Sequence, residues 1–487
     1  MAILDQWGSP FSENRFAQGA SRNPHLGSLF SPANRGVDEL IPQRDRKTLA
    51  AVSRQIVFNQ GPAKEAIRQK ASYSVGAAWL PIYSGSDTEA GEDATSWLRN
   101  VWYPVCDSRG SGADWHEFLE MVSKAMDRDG EAFVLLTEND KEFPQIKQIP
   151  AHMVGSKPEV KQVKSGPYRG LKIQDGVITN GRGRSVAYRV NKDPQGNTFE
   201  DISARDLIHV FDADYAEQRR GFPAFSHALN DLKNSLTSQQ LETIRQNIIS
   251  SIYLLEKTDH GPDPEDPAWT PSIDTTNNEA ILTEQVSPGI RHLRSSGEEL
   301  EVVKHENPGD IWESFQDRLI RSAVVGMGWA YALVWKSPGQ GTAERAEVVR
   351  ARKAVESRQK KLRFVAKRAI TYALAKADQN PGLTVRAPGN MLKWSFSMPE
   401  RLSVDDGREA RSMKDAVEAG LCSETEYQSF RGKSYEQHCW EQAQDRITRA
   451  RVAREATENN SEGVTVTPEE LGAHETQPAP VMEPAIQ

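Results

Sequence analysis

The chain has 487 residues, with 60 Lys and Arg against 68 Asp and Glu and a formal net charge of -8. That length suggests two to four domains, and the acidic balance argues against a uniformly basic nucleic-acid binder while leaving room for a local basic strip. Cys106, Cys422 and Cys439 are too few and too scattered for a disulfide framework or a four-thiolate zinc site, which fits a reducing compartment. The amino-terminal stretch lacks a signal-peptide core, and the longest apolar run, Val324 to Trp335, is too short for a bilayer span, so neither secretion nor membrane insertion is expected.

Residues 1–44 are rich in Ser, Asn, Gly and Pro and read as an extended arm. The block 45–222 reads as α+β. It opens with a helical segment over 48–76, followed by a helix over 114–127 whose Trp115, Phe118, Leu119, Val122 and Met126 share one stripe. After the Asp129-Gly130 turn come short strands in AFVLL, LKIQ, DGVIT, SVAYRV and DLIHVF.

From Ala224 to about Ser251 the pattern is helical, with Phe225, Leu229, Leu232 and Leu236 on one stripe and Leu241, Ile244 and Ile248 continuing it after a slip. Tyr253 to Val286 then holds eight acidic residues against the single basic Lys257, with four prolines, and reads as a projecting module inserted between two helices. The second helix starts at Asp310, with Glu313 placed for a capping box and Trp312, Phe315, Leu319 and Ala323 along one face. A loop, KSPGQGTAE, leads to a long helix over 343–377. A disordered tail is expected from about residue 456.

The long helix carries a heptad seam of Val348, Val355, Leu362 and Ala369 at one position and Ala351, Val365 and Tyr372 at the other, interrupted by Arg358. From Glu344 to Arg368 it bears ten Lys or Arg against three Glu, a local charge of +7. Either this is a solvated rod, or it is a basic surface facing phosphate or an acidic neighbouring subunit.

Catalytic signatures are absent. SPGQGTAE lacks the Gly-Lys-Ser/Thr end of a phosphate loop, and His116-Glu117 lacks the second His of a zinc-protease pair. No nucleophile elbow occurs, and Cys439 and His438 are helix neighbours that point apart. No enzyme activity, cofactor or metal is expected.

Several segments, in order, resemble the lambda-type portal proteins of tailed bacteriophages. HVFDADYAEQRRGF carries His209, Val210, Phe211, Gln218, Arg220 and Gly221, and FQDRLIRSAVVGMGWAYALV carries Phe315, Leu319, Ala323, Gly326 and Gly328. RDGEAFVLL, IQDGVITNGRGRSVAYRV and KDAVEAGLCSETE are similar to the family's Asp-Gly-Glu turn, Asp-Gly-Val strand and Lys-x-Ala-x-x-x-Gly segment. After the loop, GQGTAERAEVVRARKA departs from the family's Ser/Tyr-rich run ending in Ala-Arg-Ala.

The resemblance implies an α+β portal-protein fold with a wing over 45–222, a stem helix over 223–252, a clip over 253–305, and a second stem helix with the apolar patch over 306–334. A tunnel loop over 335–345, a long helix and returning wing strand over 346–399, and crown helices over 400–455 complete it. It further implies a ring, commonly a dodecamer, at one capsid vertex of the virion, assembled in the host cytoplasm. Through that ring double-stranded DNA is packaged and ejected, with a terminase large subunit, major capsid and scaffolding proteins and a head–tail adaptor as partners. On that analogy Lys336, Gln340 and Arg345 of the tunnel loop contact DNA. Arg350, Arg358, Val355 and Leu362 of the long helix serve subunit packing, which is favoured over direct DNA contact. An acidic bore suits a duplex that must slide, since each neutralised phosphate adds affinity. The competing classes are a DNA-processing enzyme component of nuclease or helicase type, and a monomeric adaptor or scaffold.

Overall fold

A computed structural model describes residues 36–76, 79–110, 113–193, 196–251, 255–256, 269–273, 280–284, 300–301, 310–335, 341–383, 385–399, 402, 406–430 and 435–458. Of the arm expected over 1–44, residues 1–35 lie outside the described residues, whereas Val37–Leu40 and the chain from Gln43 are helical; of the tail expected over 456–487, residues 456–458 complete the last helix and the rest lies outside. Most of the expected clip, all of its side chains and residues 336–340 of the expected loop also lie outside.

A short helix α1 (Val37–Leu40) precedes α2 (Gln43–Asn59) and α3 (Gly61–Val75). The single helical segment expected over 48–76 is thus two helices. Gln60 between them is extended (φ -115°, ψ 114°), and Pro62 has no N–H with which to continue the ladder. Strand β1 (Pro81–Tyr83) and helix α4 (Thr88–Trp97), neither legible in the hydrophobic pattern, come next. Helix α5 (Trp115–Arg128) follows, and all five residues of its expected stripe are buried.

Strands β2 (Glu131–Glu138), β3 (Pro144–Ile149) and β8 (Leu207–Phe211) form a sheet in the order β3-β2-β8. Between β3 and β8, β4 (Lys172–Gln174), β5 (Val177–Thr179), β6 (Ser185–Asn191) and β7 (Phe199–Ser203) make an antiparallel meander. Phe133, Val154, Val177, Tyr188 and Leu207 form a shared core between these strands.

Helix α6 (Leu229–Ser251) leads into β9 (Leu255–Glu256), a hairpin of β10 (Trp269–Ile273) and β11 (Ala280–Glu284), and β12 (Leu300–Glu301), which pairs with β9. Helix α7 (Asp310–Gly326) and the short α8 (Tyr331–Val334) precede α9 (Gly341–Gln379), whose 39 residues span about 58 Å at 1.5 Å each. Strand β13 (Trp394–Phe396) returns to pair with β1, and α10 (Asp406–Glu418), α11 (Glu424–Phe430) and α12 (Tyr435–Glu458) follow.

The chain divides into two compact units. The first comprises Met1–Ala71, Met121–Leu135 and Gln148–Ala354, and the second Ser72–Glu120, Leu136–Lys147 and Val355–Gln487. Within the second, Trp115 packs on Trp102 and Tyr103 with ring centroids 5.3 Å apart, and the Tyr103 hydroxyl donates to the Trp79 carbonyl at 2.9 Å. Trp79 meets Phe396 of β13, and Tyr83 meets Trp394, so the β1–β13 pairing is sealed by aromatic side chains.

Within the first unit, α6 and α7 pack together with inward faces that differ from the expected ones. Phe225, Leu229 and Leu232 are buried, but Leu241 and Ile244 are 61% and 54% exposed. On α7 the buried line is Gln316, Ile320, Ala323 and Val324, continued by Met327 just past its end, while Phe315 is half exposed. A polar ladder at the crossing sets this phase: Ser235 donates to Gln316 Oε1 at 2.6 Å, and the Trp312 indole donates to Ser238 at 2.9 Å.

Candidate functional site

Three of the five segments that carried the resemblance, RDGEAFVLL, IQDGVITNGRGRSVAYRV and HVFDADYAEQRRGF, meet at one buried ion cluster in the first unit. The turn Asp129-Gly130 places Glu131 at the start of β2, opposite Phe211 of β8, and Glu131 is fully buried. Arg220 donates to it through Nε at 2.8 and 3.0 Å and through Nη2 at 2.6 Å. Arg46 of α2 adds a bond at 3.3 Å, and His209 Nε2 lies 2.9 Å from Oε2. Asp175, at the turn before β5, accepts from Arg46 Nε and, at 3.1 Å, from Nη2. Arg220 Nη1 also donates to the Asp175 and Val154 carbonyls.

Two guanidiniums thus meet two carboxylates, and the remaining donors reach backbone oxygens, which is what allows such charges to sit away from water. Burial alone would raise the Glu131 pKa, but Arg220, His209 and Arg46 outweigh it and hold the carboxyl well below its usual range. Burial opposes the charge on Arg220 as well, yet Glu131 and Asp175 keep it firmly protonated. Burial lowers the pKa of His209 against the pull of Glu131, and its ring stacks on Phe133 at 4.2 Å and on Phe211 at 4.7 Å.

The other motif residues serve the same knot. Gln218 accepts from the Asp214 amide at 2.9 Å and donates to the Arg220 carbonyl at 2.8 Å, fixing the turn that aims Arg220. Gly221 donates its N–H to Glu131 at 3.2 Å, and a Cβ there would overlap the Gly130 carbonyl. The QRRG motif is therefore structural, a brace between α2, β2, the β4–β5 turn and the chain leading to α6.

The second feature is the root of the expected tunnel loop, whose residues 341–345 form the first turn of α9. The Trp335 indole donates to Asp317 of α7 at 3.0 Å. Glu347, on the first turns of α9, accepts from the Ala332 amide at 3.2 Å and from Arg321 at 3.3 Å. Gly326, where α7 ends, faces His227 so closely that a Cβ would overlap the imidazole. Both ends of the loop are therefore pinned to α7 and α8.

Of the three expected DNA-contact residues, Lys336 and Gln340 lie outside the described residues, and Arg345 is exposed two positions before the Glu347 anchor. Among the four residues assigned to subunit packing, Val355, Arg358 and Leu362 are 6%, 2% and 0% exposed within the chain itself. Of the four, Arg350 alone is exposed. Exposed cations along α9 include Arg345, Lys353, Lys360, Arg363 and Lys367. Among the described residues no group of three or more His, Cys, Asp or Glu is placed to hold a metal, and no helix is long and apolar enough to cross a membrane.

Sequence reasoning missed Arg46, Asp317 and Glu347. Arg46 was readable in part, because it stands one turn before Leu49 and Ala50 on the buried face that continues through Ser53 and Ile56. Asp317 and Glu347 carry no such signal, being ordinary acids on polar helices.

The buried brace ties α2, β2, the β4–β5 turn and the chain leading to α6 together beside a helix pair that ends at an anchored loop. The sequence profile described as phage portal protein, lambda family, matches residues 24–359, more than half of the chain. The chain belongs to the lambda family of phage portal proteins. No curated protein sequence matches it. Solved structures with a similar mixed fold include the neck of a native gene transfer agent (GTA) particle computed with C12 symmetry, at 11% identity and TM-score 0.44, covering 79% of this chain and 92% of that one. The virion of a native GTA particle gives 10%, 0.43, 80% and 91%, and the neck of an empty GTA particle computed with C6 symmetry gives 12%, 0.46, 82% and 96%. The assignment rests on the family match.

Proposed function

We propose that this portal protein assembles as a closed ring, commonly of twelve subunits in its family, at one vertex of a viral capsid. In this reading double-stranded DNA passes through the ring during packaging and ejection. A separate ATP-hydrolysing terminase docks at the acidic module over 253–305, and a head–tail adaptor binds later. Capsid and scaffolding proteins surround the ring, and the protein itself makes and breaks no bonds.

The observation that carries the ring is the apolar surface left open on the α6–α7 pair, where Leu241, Ile244 and Phe315 are half exposed or more. Elongated helices with such faces suit a head-to-tail contact in which two different surfaces of each subunit meet. Arg350 and the neighbouring exposed cations of α9 suit charge pairing with the next subunit. Arg345 and the loop residues Lys336 and Gln340 line the bore and touch the duplex, and the anchors at Trp335 and Glu347 hold the loop at a fixed root. Light scattering tests the assembly: the wild-type protein forms a closed oligomer, and a variant carrying Leu241→Asp and Ile244→Asp remains folded but monomeric.

A further inference from the structure

A cavity of about 450 Å3 in the first unit is lined by the amino end of α2, the 156–161 loop, β4, and Arg219, Arg220 and Phe222. Its floor is Arg46, Arg220 and Asp175, whose charges are matched inside the buried cluster. Its walls add Arg44, Lys157, Lys161, Lys172 and Arg219, and Asp175 is the one carboxylate among the lining residues. Arg44, Lys161 and Lys172 are exposed and in no ion pair among the described residues, and Lys157 bonds only the neutral Asn197, at 2.8 Å. Behind the floor, burial lowers the pKa of Lys47, and Arg46 and Arg220 lower it further against Asp175.

In a chain with a net charge of -8, this concentration of like charge around one concavity raises the free energy of the empty site, and a bound anion relieves it. The α2 amino end, where Pro42, Gln43 and Arg44 face the cavity, adds the positive end of a 17-residue helix dipole. Phosphate suits the geometry better than a single carboxylate, because one phosphate centre carries up to two charges and several acceptor oxygens for several cations. Phe222 is the only aromatic residue in the lining and is half buried, so the cavity has no platform on which bases could stack, and recognition falls on phosphate alone.

We propose that this cavity is a binding site for phosphate groups, supplied either by a nucleic-acid backbone or by a free phosphate compound. None of its lining residues belongs to the segment over 335–345.

Calorimetric titration of the full-length protein with sodium pyrophosphate tests it, alongside anisotropy of a short labelled DNA duplex. Saturable pyrophosphate binding is expected, weakened about tenfold or more by Lys161→Ala with Lys172→Ala and unchanged by Lys141→Ala on the exposed β2–β3 turn, which lines no part of this cavity. Arg44→Ala, on the opposite wall, gives an independent loss. Displacement of the duplex by pyrophosphate, with loss of both in the double variant, identifies a nucleic-acid backbone. Pyrophosphate binding alongside duplex binding that ignores both the competitor and the variant identifies a free phosphate compound. Absence of saturable pyrophosphate binding, equal binding by the wall variants, or binding only of a polyglutamate peptide overturns the proposal.

Discussion

Arg220 grips Glu131 through two separate nitrogens, Nε and Nη2, in a setting where the carboxylate has no exposure to water. Removing one partner strands the other as a buried charge. Arg220→Ala is expected to cost about 3–5 kcal/mol of stability, and Arg220→Lys to rescue little of it because an ammonium cannot reproduce the planar two-pronged fit. Urea unfolding of the isolated subunit or of a wing-only variant shown to fold checks this, and a loss under 1 kcal/mol, about the scale of an exposed pair, would contradict it.

The same cluster sets a pH dependence. Both His209 and Glu131 have folded pKa values below their ordinary ones, 6.5 and 4.5 respectively. In each case the unfolded chain binds a proton more readily, so the stabilisation is complete above the ordinary pKa and is lost as pH falls below it. Melting temperature should therefore decline in two stages, the first beginning as pH drops through about 6.5 and the second through about 4.5. His209→Gln should flatten the first stage and leave the second; an unchanged profile would remove His209 from the account.

The close approach of Gly130 and Phe222 predicts a sharp contrast between two glycines of positive φ. A Cβ at Gly130 (φ +90°) would overlap the Phe222 backbone, whereas Gly110 (φ +65°) has open space around it. Gly130→Ala should destabilise well beyond the roughly 1 kcal/mol that conformational strain alone produces, and Gly110→Ala by about that amount or less. Parallel thermal melts of the two variants decide this.

Loop contact and loop anchoring are separable. Lys336→Ala with Arg345→Ala should leave assembly intact while impairing DNA packaging or retention, because the substitutions remove charge from the loop and not from its root. Glu347→Ala, which releases the Ala332 amide and Arg321, should also impair packaging, and should in addition expose the loop base to limited proteolysis. Normal packaging by the Lys336 and Arg345 double variant would sink the proposed contact.

Much of the element order was legible in the sequence because the apolar stripes are strong. The α5 stripe, the strands at 131–138 and 207–211 and the long rod at 341–379 are all written in side-chain periodicity. What escaped was decided by polar groups and by distant partners. The phase of α7 is set by Gln316 meeting Ser235, so the larger Phe315 turns outward against the hydrophobic pattern. Strand β1 is three residues long and exists through its pairing with β13, more than 300 positions away, which no local pattern can announce. Arg358, read as an interruption of the heptad seam and assigned to subunit packing, is buried within the single chain. The motif residues around Arg220 were visible as a family likeness, but their joint role as a brace appeared only once α2 and the Asp175 turn were seen to close on them.

The central claim is that this chain works as a ring around DNA. Negative-stain electron microscopy of the purified full-length protein tests it most directly. The account predicts closed rings with a central hole, lost when Leu241 and Ile244 are replaced by Asp. A uniform field of compact monomers at concentrations where the protein is folded would contradict it.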